Sequence, residues 1–156
     1  MLSLSETSPR EMFKTLGLIP RFMRCKLDGN ILFIKLDDGE DFLGEICRAL
    51  ESTGSSSGVV LSCAGMMRNT ILAYYKGEYI ERALPSPMEI ISVEGNIARG
   101  DDGSLQPHIH VALADENLNV YGGHLRRAMV HNTAEIAILI PRDVSLIRRR
   151  TGLFIE

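Results

Sequence analysis

The stretch "PHIHVALADENLNVYGGHL", Pro107–Leu125, decides how the chain folds. Alternation along its first half puts Ile109, Val111 and Leu113 on one side of a strand and His108, His110 and Ala112 on the other. Polar "DENLN", Asp115–Asn119, then reverses the chain. A hairpin folded about Asn117 sets His110 opposite His124, Ala112 opposite Gly122, and Ala114 opposite Val120. His108 and His110 are about 6.5–7 Å apart along their strand, and directly opposed Cβ atoms are about 4.5–5.5 Å apart. Three imidazoles therefore converge on the face turned away from the core. Ala112 and Gly122 are small and leave the space beside them open. A three-histidine set is the protein part of an open zinc site, although imidazole also suits nickel, copper or iron. Two other readings stand beside it. An H-x-H in a strand can be two exposed residues or a hydrogen-bonded pair, and a β-bulge at Gly122–Gly123 would turn His124 to the wrong face.

Outward from this hairpin, the chain reads as one helix followed by many strands. "EDFLGEICRALEST" spaces Phe42, Leu43, Ile46, Cys47 and Leu50 as a single apolar helical stripe. Asp37 or Asp38 is expected to cap its start, and Gly54 to end it. "RFMRCKL" and "ILFIKL" before it read as strands. After it come "GVVLSCAG", a "GMMR" connection, then "NTILAYY", "EYIERAL", "MEIISVEGNIA", the histidine hairpin and "EIAILI". The final "DVSLIRRRTGLFIE" could add one more strand. The expected fold class is α+β: a largely antiparallel mixed sheet with a helix packed on one face. The 156 residues suggest one domain over 21–156, preceded by an N-terminal arm over 1–20 with one helical turn around Arg10–Leu16.

A net charge of −3 leaves no overall basic footprint, so nucleic-acid contact would need a local patch or a partner. The three cysteines, Cys25, Cys47 and Cys63, match no metal or redox spacing and read as reduced thiols. No signal peptide and no membrane-length apolar run is visible, so a cytoplasmic location is expected. Nucleophile-elbow, Walker and Rossmann motifs do not occur.

From Gly39 to Ile140 the chain resembles the PPC domain, the "plants and prokaryotes conserved" domain. The residues that carry the resemblance are "GEDFLGEI", "SGVVLSCAGMMRNTILAYY", "PMEIISVEGNIA" and "PHIHVALADENLNVYGGHLRRAMVHNTAEIAIL". The resemblance implies an α+β homotrimer. It also implies a metal-binding unit, which falls here on His108, His110 and His124; the divalent metal expected for the three-histidine set is zinc. In plants the domain accompanies AT-hooks in DNA-binding regulators, so a DNA-related regulatory or binding role is implied. An AT-hook needs an R-G-R-P core for the minor groove, and this sequence has none. Its nearest basic run, Arg148–Arg150 with Arg142 nearby, reads first as a solvated strand edge or a trimer contact.

The alternative is a zinc-dependent, hydrolase-like enzyme built on the open His₃ set. Arg68 would then orient an anionic substrate, and Glu94 or Glu135 would move a proton or orient a histidine N–H. Each has a structural counterpart. Arg68 could pair with Glu89 or Glu94, and Glu135 could pair with an arginine across a subunit contact. His131 falls outside the hairpin geometry and reads as a hydrogen-bonded or surface residue.

Overall fold

The computed structural model describes residues 24–156. The arm over 1–20 and its helical turn lie outside these residues, as does the start of "RFMRCKL". Strands β1 (Arg24–Asp28) and β2 (Ile31–Asp37) form a hairpin, followed by helix α1 (Phe42–Ser52). Then come β3 (Gly58–Tyr75), β4 (Tyr79–Leu84), β5 (Met88–Gly100), β6 (Leu105–Ala114) and β7 (Val120–Leu139). The chain ends in a small hairpin of β8 (Leu146–Arg149) and β9 (Gly152–Ile155). The described residues are thus dominated by one mixed sheet, with one short helix. Among the described residues only the β5–β8 pair is parallel.

The pairing closes on itself. β3 pairs with β5 and with β7, and β6 pairs with both β5 and β7. These four strands form a ring around an apolar interior that includes Met67, Leu72, Val93, Ile97, Ile109, Val111, Leu113, Leu125 and Val130, all buried. The helix turns Phe42, Ile46, Ala49 and Leu50 into the same core, where they meet the inward side chains of β2, Leu32, Ile34 and Leu36. Among the described residues these side chains form one continuous core cluster.

Two expected loops are absent. "GMMR" is not a connection, and "RRAMVHNTA", between the hairpin and "EIAILI", does not interrupt its strand. β3 and β7 run unbroken for 18 and 20 residues and bend instead of ending. At the bend Gly65 has φ +131, and a Cβ there would stand 2.1 Å from the Thr133 carbonyl oxygen. Asn69 and Asn132 also adopt positive φ, and the β3–β7 register shifts after Gly65 and after Arg68. Bulges of this kind bend a strand and sharpen its twist without ending the ladder. The helix cap is also corrected. Its N-cap is Asp41, without a side-chain cap bond. Asp38 instead accepts from Arg68 and from the Asn132 N–H.

Candidate metal centre

The hairpin has the register expected from its sequence. His110 faces His124, Ala112 faces Gly122 and Ala114 faces Val120, with no shift between β6 and β7. The double glycine therefore leaves His124 on the same face as the other two. Ile109, Val111 and Leu113 go inward and are buried, while the imidazoles stand on the outside of the ring. Ring centroids are 5.2 Å apart for His108–His110, 5.2 Å for His108–His124 and 5.5 Å for His110–His124. One nitrogen from each lies within 4.8 Å of the other two. A triangle with no side above 4.8 Å has a centre no more than about 2.8 Å from any corner. Imidazole binds zinc at about 2.0–2.1 Å, so the rings need to close by less than about 1 Å to hold an ion.

The residues around the triangle fit a cation. His124 Nδ1 is buried and makes no hydrogen bond, a state that costs free energy unless something binds there. Burial lowers the pKa of His108, and the positive charge of Arg148 adds to the effect. Burial lowers that of His124 too, with further contributions from the neighbouring histidines and arginines. Both therefore favour the neutral form that ligates metal.

The strand pairing lays a row of residues across five strands: Glu94 on β5, His110 on β6, His124 on β7, Ala73 on β3 and Glu81 on β4. Directly opposed residues share a face of a sheet, so Glu94 is carried to the side of His110. Asn96 is likewise opposite His108. Close approach of β5 to β6 here depends on Gly95, whose φ is +143 and whose absent Cβ would fall 2.0 Å from the His108 carbonyl oxygen. Glu94, Gly95, Asn96, His108 and His110 line an open cleft of about 290 Å³. On the opposite flank the Tyr79 ring lies 5.4 Å from His124, and Arg126 stacks over Tyr79 while binding Glu81 at 3.2 Å.

Of the other residues singled out from the sequence, Glu94 lies opposite His110 and lines the same cleft, and two lie elsewhere. Arg68 donates to Asp38 at 2.6 and 3.1 Å and to His131 Nδ1 at 2.7 Å. It pairs with neither Glu89 nor Glu94, because the β3 bend aims it at the segment between β2 and α1. The Arg68 guanidinium and the Asn132 N–H hold the Asp38 carboxyl down at about 2. His131 is the hydrogen-bonded residue its sequence context suggested. Glu135 lies on β7 beyond the bend, between Lys35 of β2 and Ala64 of β3, and cannot touch the triangle. Cys25, Cys47 and Cys63 are all free thiols. Burial, with Glu135 nearby, pushes Cys63 up to about 12, and burial pushes Cys47 up to about 11.

Sequence reasoning missed Asn96, Arg148 and Tyr79. "E-x-N" on β5 repeats the two-residue spacing of "H-x-H" on β6, and that match was available. Nothing in "RRR" distinguishes the first arginine, which is singled out only when β8 pairs with β5.

Comparison with known proteins agrees with this architecture. Residues 23–140 match the family model of the Plants and Prokaryotes Conserved (PCC) domain. A metal-containing protein of Archaeoglobus fulgidus is 30% identical, with a TM-score of 0.70 over 85% of this chain and 96% of that one. A plant- and prokaryote-conserved (PPC) protein of Pyrococcus horikoshii is 22% identical, with a TM-score of 0.68 over 83% of this chain and 89% of that one. A candidate DNA-binding protein of Bacteroides thetaiotaomicron is 17% identical, with a TM-score of 0.72 over 81% of this chain and 89% of that one. Among curated proteins, a bifunctional protein GlmU of Synechococcus is 30% identical over 108 residues, which are 67% of this chain and 16% of that protein. No helix among the described residues is long and apolar enough to cross a membrane. With the family match covering most of the length and the solved structures sharing the fold, the chain belongs to the Plants and Prokaryotes Conserved (PCC) domain family.

Proposed function

We propose that this chain is a homotrimeric, metal-holding PCC-domain protein that serves as a binding or regulatory module in a DNA-related process. The observation that carries the metal reading is the convergence of His108, His110 and His124 nitrogens within 4.8 Å, beside an orphaned buried Nδ1. Three neutral histidines with a fourth position open suit zinc, and the relative from Archaeoglobus fulgidus is described as metal-containing. The DNA-related role is supported by the candidate DNA-binding proteins of Bacteroides thetaiotaomicron and Ralstonia eutropha that share the fold. Exposed apolar side chains support self-association: Phe33 and Leu61 are 51% and 52% exposed, and contiguous apolar surface commonly marks an interface.

A metal-dependent hydrolase is the second reading, and Glu94 is what favours it. A bound divalent ion would supply Lewis acidity to a ligand oxygen. Glu94, opposite His110, would accept a proton at its carboxylate, whereas Arg68 is engaged by Asp38 and Glu135 stands beside Lys35.

Elemental analysis of untagged protein tests the metal reading. We expect close to one zinc per chain, lost in His110→Ala while the mass by light scattering stays that of a trimer. Metal below a few tenths of an equivalent in the wild type would refute it. Absence of any DNA shift at low salt would refute direct DNA contact, because phosphate contacts are strongest there.

A further inference from the structure

We infer that Arg148 and Asn96 build an oxyanion subsite beside the three histidines, which takes a small carboxylate or phosphate as the fourth ligand of the site. This rests on the metal reading above and names the class of ligand.

Arg148 comes from β8, which pairs in parallel with β5, next to Gly100. Its side chain runs back along β5, and Nη2 donates to Asn96 Oδ1 at 2.5 Å. Asn96 is the residue opposite His108. The guanidinium is therefore delivered to the flank of the triangle, beside the residue that faces His108.

Arg148 is half-buried, yet no ion pair among the described residues involves it. Its one side-chain partner is the neutral amide of Asn96, and its Nε is buried without a hydrogen bond. The neighbouring arginines behave differently. Arg149 pairs with Asp101 and Glu156, and Arg126 with Glu81. A half-buried guanidinium whose Nε is shielded from water, with no acid beside it, is stabilised when an anion arrives from outside.

The charge of the site leads to the same ligand. Three neutral imidazoles contribute none, so a divalent ion would keep its full +2. Arg148 adds a further positive charge, and Glu94 is the one carboxylate lining the cleft. An anion bridging the metal position and the guanidinium balances that excess. A planar guanidinium presents its donors as a fork that matches a carboxylate or phosphate. The cleft of about 290 Å³ sits at the small end of ligand pockets, which favours a ligand of few atoms.

The test uses the full chain loaded with cobalt(II), whose visible bands report the ligands around it. Sodium phosphate and sodium acetate are titrated into the wild type, Arg148→Gln, Arg148→Lys and, as an exposed control, Arg150→Gln. Expected is a saturable band shift with at least one anion, weakened about tenfold or more by Arg148→Gln, the loss of one charge-assisted contact. Arg150→Gln should titrate as wild type, and Arg148→Lys should recover part of the affinity. Cobalt uptake itself should be unchanged or tighter in Arg148→Gln, since a repelling charge is gone. A thermal melt confirms that each variant is folded. If Arg148→Gln unfolds, Asn96→Ser, which removes the amide that aims the guanidinium, takes its place with the same expected weakening. Failure of the wild type to take up cobalt overturns the metal reading. Normal uptake with anion titrations that are absent, or identical in all variants, overturns only the subsite. A duplex oligonucleotide that gives the same shift at far lower concentration than phosphate would also overturn it, by making the ligand a nucleic-acid backbone.

Discussion

Gly95→Ala should damage the site without touching any histidine. Gly95 has φ +143, a conformation that side-chain-bearing residues rarely adopt, and its missing Cβ would stand 2.0 Å from the His108 carbonyl oxygen. Ordinary contact begins near 3.4 Å, so the overlap is 3.4 − 2.0 = 1.4 Å, and the obstructing atom is backbone. Two costs follow. A residue forced into a sparsely populated backbone region costs about 1–3 kcal/mol. Overpacking that displaces backbone costs about 1–3 kcal/mol more. Together these give about 2–6 kcal/mol. For a chain of this length each kcal/mol lowers Tm by about 2–4 °C, so a drop of about 4–24 °C is expected by calorimetry or circular dichroism. Relief can come only by parting β5 from β6, which also moves His108 from Asn96. Metal affinity should therefore fall with stability. A loss of less than about 1 kcal/mol with metal uptake unchanged would refute the reasoning, because it would mean that β5 and β6 do not approach each other as described.

His124→Leu should separate the cost of the site from its use. Removing a buried nitrogen that has no partner should leave the metal-free chain as stable or up to about 1 kcal/mol more stable by urea unfolding, while metal uptake is lost. A clear destabilisation of the metal-free form would mark His124 as a packing residue. Asp38→Asn should change the acid limb of stability. The Asp38 carboxyl is held at about 2 against an ordinary 3.8. A depressed carboxyl stabilises fully above its unfolded value and loses that contribution as pH falls through the folded one. The wild type should therefore lose stability between about pH 4 and pH 2 more steeply than the variant, and equal slopes in pH-dependent urea melts would count against the Arg68–Asp38 pair. Cys63, with its thiol pushed up to about 12, should react with a maleimide or disulfide probe at pH 8 far more slowly than unfolded chain does. Labelling of Cys63 as fast as in urea would contradict its burial.

The parts legible in the sequence were those with a period or a count. The two-residue alternation of "HIHVAL", and equal spacing of His110 and His124 from Asn117, fixed which residues meet and on which side. The helical stripe through Phe42, Ile46 and Leu50 was equally plain. Where glycine and asparagine stood inside strands, the same signs misled. Gly65, Asn69 and Asn132 look like turn residues because they adopt turn-like φ, yet the ladder resumes after each shift. Pairings between distant strands were out of reach for another reason. The parallel placement of β8 against β5, which selects Arg148 from three adjacent arginines, depends on chain closure and leaves no local mark. Arg68 and Glu135 were plausible candidates by residue type, and only the bend in β3 and β7 sends them elsewhere.

The ring of β3, β5, β6 and β7 has a consequence for how such a domain can change over time. Every inward residue of the hairpin serves the core, and every imidazole stands on the outer wall, so no residue does both. Replacing the histidines, Glu94 or Asn96 leaves the filling of the ring untouched. The barrel can therefore be kept while its outer wall is rewritten for a different ion, a different anion, or none, and a lineage can exchange its chemistry without first surviving a loss of fold.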